Sequence, residues 1–326
     1  ASNENPFGMP EGARAAEIAC LAEGARYPDG NGFDLKQALS AVFDVPPDWI
    51  TLGNGSNDIL EIAAPALLHP GVSAVYSAHA FAVYPLATQA SGARSIVVPA
   101  RRYGHDLDAM AAAIAPDTRV VFIANPNNPT GTFVPAAEVE AFLDRVPKDV
   151  VVVLDEAYNE YLDEADRFDS TRWLAGRPNL LVSRTFSKAY GLASLRVGYG
   201  LAQPELTDLL NRVRQPFNVS TPALVAAEAA LADRDFVARA RANNRSELDR
   251  LEGEFRTMGI EFLPSFGNFS LLRVGDAAAV YEGLLRAGVI VRPVAGYGLP
   301  EWLRVSVGLP AENDRFLAAL RPLVGR

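Results

Sequence analysis

The chain has 326 residues, of which 49% are apolar, and 39 acidic against 30 basic side chains give it a formal net charge of −9. This composition predicts a globular protein with two unequal domains, and its acidic surface argues against nucleic acid as a partner. The single cysteine, Cys20, excludes an intramolecular disulfide, and three histidines without an HExxH motif argue against a zinc enzyme.

The longest apolar runs, such as 150–154, have the length of a strand and are far shorter than a membrane span. No basic and apolar leader opens the chain, so we expect a cytoplasmic protein without membrane attachment. The first residue is Ala1 and not methionine, and we expect a few native residues to precede it.

The first half of the chain opens with an extended arm at 2–8, followed by a strand at 49–52 and a helix at 59–68. From 74 to 201, short apolar runs alternate with amphipathic stretches of helical period. Continuous apolar strands are buried on both faces, as in parallel sheets covered by helices, so the alternation predicts a doubly wound α/β domain. Its predicted strands are 74–76, 95–99, 120–124, 150–154, 180–183 and 197–201.

The pattern changes after residue 216. Alanine-rich and charged amphipathic helices are predicted at 221–231 and 236–258, and short strands and a closing helix follow at 269–274, 289–293, 303–307 and 311–324. This order predicts a smaller α+β domain. We therefore divide the chain into an N-terminal arm that packs with the small domain, a large domain and a small domain, at 1–27, 28–235 and 236–326.

Polar side chains follow three successive strands of the large domain. Asn128 lies in Asn-Pro-Asn-Asn-Pro-Thr-Gly, Asp155 begins Asp-Glu-Ala-Tyr, and Lys188 ends Arg-Thr-Phe-Ser-Lys. Each motif alone is common in turns, helix caps or solvated surfaces. The intervals of 27 and 33 residues, however, each match one strand-helix unit. Because ligands of open α/β sheets bind beyond the carboxyl ends of the strands, these groups are predicted to share one site.

Pyridoxal 5′-phosphate (PLP) requires such a set of groups. Its aldehyde needs a lysine amine, its pyridine nitrogen a carboxylate, its phenolic oxygen hydrogen-bond donors, and its phosphate hydroxyls and a guanidinium. The Gly-rich stretch 53–58 opens the helix at 59–68, and helix N-termini bind phosphate. Phe81 follows another strand and could stack on the ring, although it could equally be a core aromatic.

With these motifs in order, the chain resembles the fold-type-I aminotransferases, and within them the histidinol-phosphate aminotransferase branch. The resemblance covers essentially the whole chain and includes Ser-Asn-Glu-Asn-Pro-Phe-Gly at 2–8 and Leu-Arg-Val-Ser-Val-Gly at 303–308. It implies an aspartate-aminotransferase-like fold, with a large, mostly parallel sheet domain and a small α+β domain. One position departs from the family pattern, since Ser194 stands where glycine is common.

The resemblance also implies roles for the residues around the cofactor ring. Lys188 would bind PLP as a Schiff base and move a proton between the substrate α-carbon and the cofactor. Asp155 would pair with the pyridine nitrogen, while Asn128 and Tyr158 would contact the phenolic oxygen. The ring would lie between two side chains, Ala157 and Phe81.

A second group of residues is implied at the phosphate end. Ser187, Arg196 and the N–H groups of Gly55 and Ser56 would hold the cofactor phosphate. In the family, the residue at Tyr27 reaches the phosphate of the neighbouring subunit's cofactor. A homodimer with shared active sites is therefore implied.

For the substrate, the resemblance implies that Arg304 grips the anionic group at the α-carbon, with Arg292 and Asn5 near it. Two guanidinium groups suit a phosphate dianion better than a carboxylate, which favours histidinol phosphate as the substrate. Glutamate and 2-oxoglutarate would be the amino donor and its keto acid in the other half of the reaction. Two alternatives stay open. One is an aromatic amino-acid aminotransferase, and the other is a PLP-dependent decarboxylase of a phosphorylated amino acid.

Overall fold

The computed structural model describes residues 2–324. Its large sheet has the strand order β1-β7-β6-β5-β4-β2-β3 and its smaller sheet the order β10-β11-β9-β8. The strands are β1 Ile50–Gly53, β2 Ser73–Ser77, β3 Arg94–Val98, β4 Thr118–Ala124, β5 Val151–Asp155, β6 Leu180–Thr185, β7 Gly198–Leu201, β8 Glu261–Leu263, β9 Phe269–Arg273, β10 Arg292–Pro293 and β11 Trp302–Ser306.

The helices of the first 213 residues are α1 Glu11–Cys20, α2 Phe33–Phe43, α3 Ser56–Leu67, α4 Val83–Ala90, α5 Leu107–Ala112, α6 Ala136–Leu143 and α7 Pro204–Val213. The later ones are α8 Thr221–Ala232, α9 Arg234–Thr257, α10 Ala277–Arg286 and α11 Pro310–Val324. Among residues 2–324, no helix is long and apolar enough to cross a membrane.

The large sheet is buried on both faces, as its continuous apolar strands predict. On β4, Val121 and Ile123 belong to one apolar cluster, whereas Val120 and Phe122 belong to the cluster on the opposite face. Strands β2 to β6 pair in parallel, and β7 pairs antiparallel with both β6 and β1. The predicted α/β fold with a mostly parallel sheet is confirmed.

The small sheet is antiparallel and packs against α9, α10 and α11 around a third apolar cluster. The predicted strand at 289–293 is reduced to Arg292–Pro293, which pairs with Arg304 and Leu303 of β11. At the start of the predicted range, the Val289 N–H donates to the Leu284 carbonyl of α10 at 2.9 Å and is not available to a strand. At the other end, Pro293 has no N–H group to donate. Strand β8 was not predicted, because three residues are too short to show a period.

The N-terminal segment contacts both parts of the molecule. Asn3 hydrogen-bonds Ser306 of β11 and Asn268, which agrees with an arm that packs on the small sheet. Helix α1 instead packs on α8, within the range assigned to the large domain. The domain boundaries themselves stay predictions.

Candidate active site

A cavity opens beyond the carboxyl ends of β4, β5 and β6, with a volume of about 700 Å³ counted to its open mouth. The cavity is lined by nine of the predicted site residues, namely Ser56, Phe81, Asn128, Asp155, Ala157, Tyr158, Ser187, Lys188 and Arg196.

Strand register brings these groups together. Ala124 at the end of β4 pairs with Asp155 at the end of β5, and Asp155 pairs with Ser183 of β6. Lys188 follows β6 by three residues. Three segments that are about 30 residues apart in sequence therefore end at one edge of the sheet, as predicted.

Asp155 is the buried carboxylate of the cavity, with 4% of its surface exposed. One oxygen, Oδ2, accepts a hydrogen bond of 2.9 Å from Tyr84 Oη. The other oxygen, Oδ1, is buried and has no hydrogen-bond partner among residues 2–324. Burial raises the pKa of this carboxyl to about 6, although the Tyr84 hydrogen bond opposes the rise. At pH 7 the group is thus ionised and one of its oxygens is unsatisfied.

Lys188 carries the amine of the cavity. Its Nζ donates a hydrogen bond of 2.7 Å to the main-chain carbonyl of Ser2 and lies 5.8 Å from the centre of the Tyr158 ring. Burial, followed by the nearby Arg304 guanidinium, lowers the pKa of Lys188 to about 8. A substantial fraction of the amine is therefore neutral near physiological pH, as a nucleophile requires.

Tyr158 and Asn128 are held by residues from other segments. Tyr158 Oη accepts a hydrogen bond of 3.0 Å from Asn3 Nδ2 in the N-terminal arm. Burial raises the pKa of Tyr158 to about 12, so its hydroxyl keeps its proton. Asn128 Oδ1 accepts from Arg304 Nη1. Because Arg304 contacts a cavity residue directly, the buried guanidinium lies next to the cavity.

In the same cavity, Ser187 and Arg196 lie near the start of α3. Arg196 Nη1 donates to Ser187 Oγ at 3.1 Å. Ser56 is the first residue of α3, and the first N–H groups of a helix have no acceptor within the helix. A guanidinium, a hydroxyl and a helix N-terminus together form an anion site.

Glycine is required at position 55 because of the backbone conformation there, and not because its N–H group binds a ligand. Its φ of 86° lies in the region that favours glycine, and a Cβ atom there would collide with the Arg196 guanidinium. Its N–H donates to the Gly53 carbonyl at 2.8 Å, so the predicted N–H contact of Gly55 with a phosphate is not supported. Ser56 and Asn57 line the cavity in its place.

Comparisons with known proteins agree with this geometry. The model of the family "Aminotransferase class I and II" matches residues 1–320. The chain belongs to this family. Histidinol-phosphate aminotransferase 1 of Cupriavidus pinatubonensis is 65% identical over 98% of this chain and 86% of that protein. Histidinol-phosphate aminotransferase 2 of Pseudomonas fluorescens Pf0-1 is 60% identical over 100% of this chain and 88% of that protein.

Among solved structures, histidinol-phosphate aminotransferase from Sinorhizobium meliloti, in complex with pyridoxal-5′-phosphate, superposes with a TM-score of 0.94. Its sequence is 31% identical, and the match covers 99% of this chain and 89% of that one. A tetra mutant of aspartate aminotransferase from Thermus thermophilus is 25% identical, with a TM-score of 0.87, and the match covers 99% of this chain and 95% of that one. The aspartate-aminotransferase-like fold predicted from the motifs is therefore confirmed.

Several predicted residues of this aminotransferase lie outside the cavity lining. Arg304 contacts Asn128, whereas Arg292 is exposed and donates to Ser2 Oγ at 3.3 Å. Asn5 is buried, and its amide donates to the Ala189 carbonyl at 2.8 Å and accepts from the Phe7 N–H at 3.0 Å. Because its amide is used by these main-chain groups, Asn5 is better suited to hold the loop after Lys188 than to contact the substrate directly.

Tyr27 also lies away from the cavity, on the surface of the chain. Its side chain is 83% exposed, and its ring stacks on that of Phe217 at a centroid distance of 4.8 Å. The placement does not bring Tyr27 to the anion site of its own chain. It leaves the residue available to a neighbouring molecule.

Sequence reasoning missed other residues of the aminotransferase site. Asn57, Ala124, Pro126 and Thr185 also line the cavity, and each lies inside or next to a motif that was singled out. Tyr84 and Asn3 were missed as partners of Asp155 and Tyr158. Tyr84 is 71 residues from its partner and Asn3 is 155 residues from its own, so no local signal could have paired them.

Proposed function

We infer that this aminotransferase uses PLP, bound covalently through Lys188, to transfer an amino group between histidinol phosphate and 2-oxoglutarate. The observation that carries the inference is the composition of the cavity. An amine with a lowered pKa, an ionised carboxylate and an anion site line one space at the edge of the large sheet.

The residues present fit PLP at three points. The unpartnered Oδ1 of Asp155 is a buried acceptor that a protonated pyridine nitrogen satisfies. Ser187, Arg196 and the start of α3 match the phosphate. Phe81 and Ala157 line the same cavity and can cover the two faces of a planar ring.

Bound PLP supplies an electron sink for the pair released when the Cα–H bond of the substrate breaks. Asp155, ionised above about pH 6, keeps the pyridine nitrogen protonated. Lys188, whose pKa is lowered to about 8, would accept the proton from the substrate α-carbon and pass it to the cofactor carbon that carried the aldehyde. Tyr158 and Asn128 orient the ring through its phenolic oxygen.

Two arginines and the named relatives support histidinol phosphate as the substrate. Arg304 is buried beside the cavity. Arg292 lies directly opposite Arg304, on the neighbouring antiparallel strand β10. Two guanidinium groups suit a phosphate dianion. The relatives named above that are at least 60% identical act, by their names, on histidinol phosphate.

We further propose a homodimer in the cytoplasm, in which Tyr27 of one subunit contacts the cofactor phosphate of the other. Tyr27 and Phe217 form an exposed aromatic pair, and aromatic residues are enriched at protein interfaces. Sedimentation of the purified protein tests the dimer. A monomer with full activity would contradict the shared site.

One kinetic experiment tests the proposed reaction against both alternatives. We expect turnover of histidinol phosphate with 2-oxoglutarate, and a much lower kcat/KM for phenylalanine in direct competition. A preference for phenylalanine would favour the aromatic aminotransferase. Release of carbon dioxide without formation of a keto acid would favour the decarboxylase.

Lys188 can be tested against a matched control, since the chain has three lysines, at positions 36, 148 and 188. We expect Lys188→Ala to abolish turnover and the visible absorbance of the covalently bound cofactor, because only Lys188 of these lines the cavity. Lys148 is exposed, and Lys148→Ala should behave as the wild-type protein. Full activity of Lys188→Ala would contradict the assignment.

A further inference from the structure

Asn3 of the N-terminal arm is buried to the same degree as the core, with 1% of its surface exposed. Its φ of 60° is left-handed, a conformation that asparagine tolerates better than most residues. Its main-chain carbonyl accepts a hydrogen bond of 3.0 Å from Asn268 Nδ2. An arm residue is thus fixed in place by the region of the small sheet, next to Tyr158, a cavity residue in the segment after β5.

The side-chain amide of Asn3 joins Ser306 to Tyr158. Ser306 Oγ accepts from the Asn3 N–H at 3.1 Å and donates to Asn3 Oδ1 at 2.8 Å. With Oδ1 used in this way, the amide presents Nδ2 to Tyr158, and Nδ2 donates to Tyr158 Oη at 3.0 Å. An amide nitrogen can only donate, so the tyrosine oxygen must act as the acceptor in this contact.

The proton of the Tyr158 hydroxyl is therefore directed away from Asn3. Tyr158 lines the cavity, and its pKa of about 12 keeps the hydroxyl protonated. We propose that Asn3 is a positioning residue that makes Tyr158 a hydrogen-bond donor to the ligand in the cavity, and that Ser306 sets the orientation of the Asn3 amide. The proposal rests on the proposed function, in which that ligand is PLP and the acceptor is its phenolic oxygen.

A measurable consequence follows for the bound cofactor. A hydrogen bond donated to the phenolic oxygen stabilises its ionised form, and this lowers the pH at which the chromophore loses its proton. Without the donor, the pH midpoint of the visible absorbance change should rise. Other charged or titratable groups that act on Tyr158 are Arg304 on β11, Asp155 on β5, Tyr84 on α4, Lys188, Tyr161 and Tyr297, and the variants below substitute none of them.

Asn3→Asp is the sharpest variant, because aspartate has the same shape and also tolerates a left-handed φ. A carboxylate only accepts, so Tyr158 would turn its proton toward residue 3 and its lone pairs toward the cofactor. We expect the absorbance midpoint of the holoenzyme to rise by about one to two pH units, the size of a hydrogen bond to a charged oxygen.

Ser306→Ala tests the same chain of bonds without adding a charge. It frees the Asn3 amide to rotate, and we expect a smaller rise of the midpoint, by about half a unit. Both shifts should shrink to a few tenths of a unit when measured in a Tyr158→Phe background, because the hydroxyl through which they act is gone. A structural defect of the arm would persist in that background.

Asn31→Asp serves as the control, since Asn31 is exposed, does not line the cavity and accepts a hydrogen bond from Lys36. Its midpoint should match that of the wild-type protein. If Asn3→Asp and Ser306→Ala both keep the wild-type midpoint, or if their shifts persist in full with Tyr158→Phe, the proposal is overturned. A wild-type protein that shows no visible absorbance with PLP would instead overturn the proposed function.

Discussion

Asp155 and Glu156 are adjacent carboxylates at the end of β5, and both are almost completely buried, with 4% and 1% of their surfaces exposed. Their partners differ. Asp155 faces the cavity, with one oxygen bonded to Tyr84 and the other without a partner among residues 2–324. Glu156 Oε2 accepts from Arg184 Nε at 2.8 Å and from Ser170 Oγ at 2.9 Å. One carboxylate is left open to a ligand, and the other is closed by the protein.

The difference comes from the alternation of side chains along an extended segment, which sends successive residues to opposite sides. On the side of Glu156, Arg184 is 3% exposed, and its guanidinium lies 4.8 Å from the centre of the Phe43 ring. The Asp-Glu pair of a single motif therefore contains one residue for chemistry and one for stability. Substitution of each carboxylate by its amide can separate the two roles.

Asp155→Asn should cause the larger change in activity. Asparagine keeps the shape of the side chain and an acceptor for Tyr84, but it carries no negative charge to hold the pyridine nitrogen protonated. We expect kcat/KM for histidinol phosphate to fall by several orders of magnitude, while the free energy of unfolding of the apoprotein changes by less than about 1 kcal/mol.

The two measurements together decide the role of Asp155. Steady-state kinetics gives the first value, and urea unfolding monitored by circular dichroism gives the second. Near wild-type kinetics would remove Asp155 from the mechanism. A large loss of stability together with the loss of activity would mean that both carboxylates are structural.

Glu156→Gln should show the reverse pattern. Loss of the charge leaves the buried Arg184 without its nearest counter-ion, and breaking a buried ion pair in this way costs about 3–5 kcal/mol. Asp169, at 4.0 Å from Arg184 and partly exposed, compensates only in part. We expect a loss of about 3 kcal/mol in the free energy of unfolding, with the turnover per folded molecule near that of the wild-type protein.

Glu228→Gln is the matched control, because Glu228 is exposed on α8 and its loss should change stability by less than about 0.5 kcal/mol. A double variant, Glu156→Leu with Arg184→Met, removes both charges and should recover much of the lost stability. If Glu156→Gln instead abolished turnover at unchanged stability, the contrast between the two carboxylates would fail.

The sequence predicted the sheet edge well, for a physical reason. Parallel strands that are joined by helices must all end at the same edge, so the order Asn128, Asp155, Lys188 was enough to predict that these residues share a site. The same reasoning could not distinguish Asp155 from Glu156, because both follow one strand. The family resemblance selected Asp155, and the packing on each side shows that it is the open carboxylate.

Contacts between distant segments were beyond the reach of sequence patterns. Tyr84 lies on α4 and Asn3 in the arm, and their hydrogen bonds to Asp155 and Tyr158 depend on how helix and arm pack on the sheet. The N–H group of Gly55 was predicted to bind phosphate, but it is used by the carbonyl of Gly53. Hydrogen-bond partners of this kind follow from the tertiary structure.

Tyr84→Phe gives the smallest and most specific test of the comparison, because it changes only the partner of the open carboxylate. The Tyr84 hydrogen bond lowers the pKa of Asp155 against the effect of burial, so its loss should raise that pKa further above its ordinary value. In the proposed function, Asp155 pairs with the protonated pyridine nitrogen only when it is ionised, that is, at a pH above its pKa. The PLP affinity of the apoprotein can be measured by fluorescence titration across pH. As the pH is lowered, this affinity should begin to fall at a pH about one unit higher than in the wild-type protein.

Tyr281→Phe, on α10 and away from the site, should leave the profile unchanged. An identical profile for Tyr84→Phe would mean that the ionisation of Asp155 does not govern cofactor binding, and that the open carboxylate acts by shape alone.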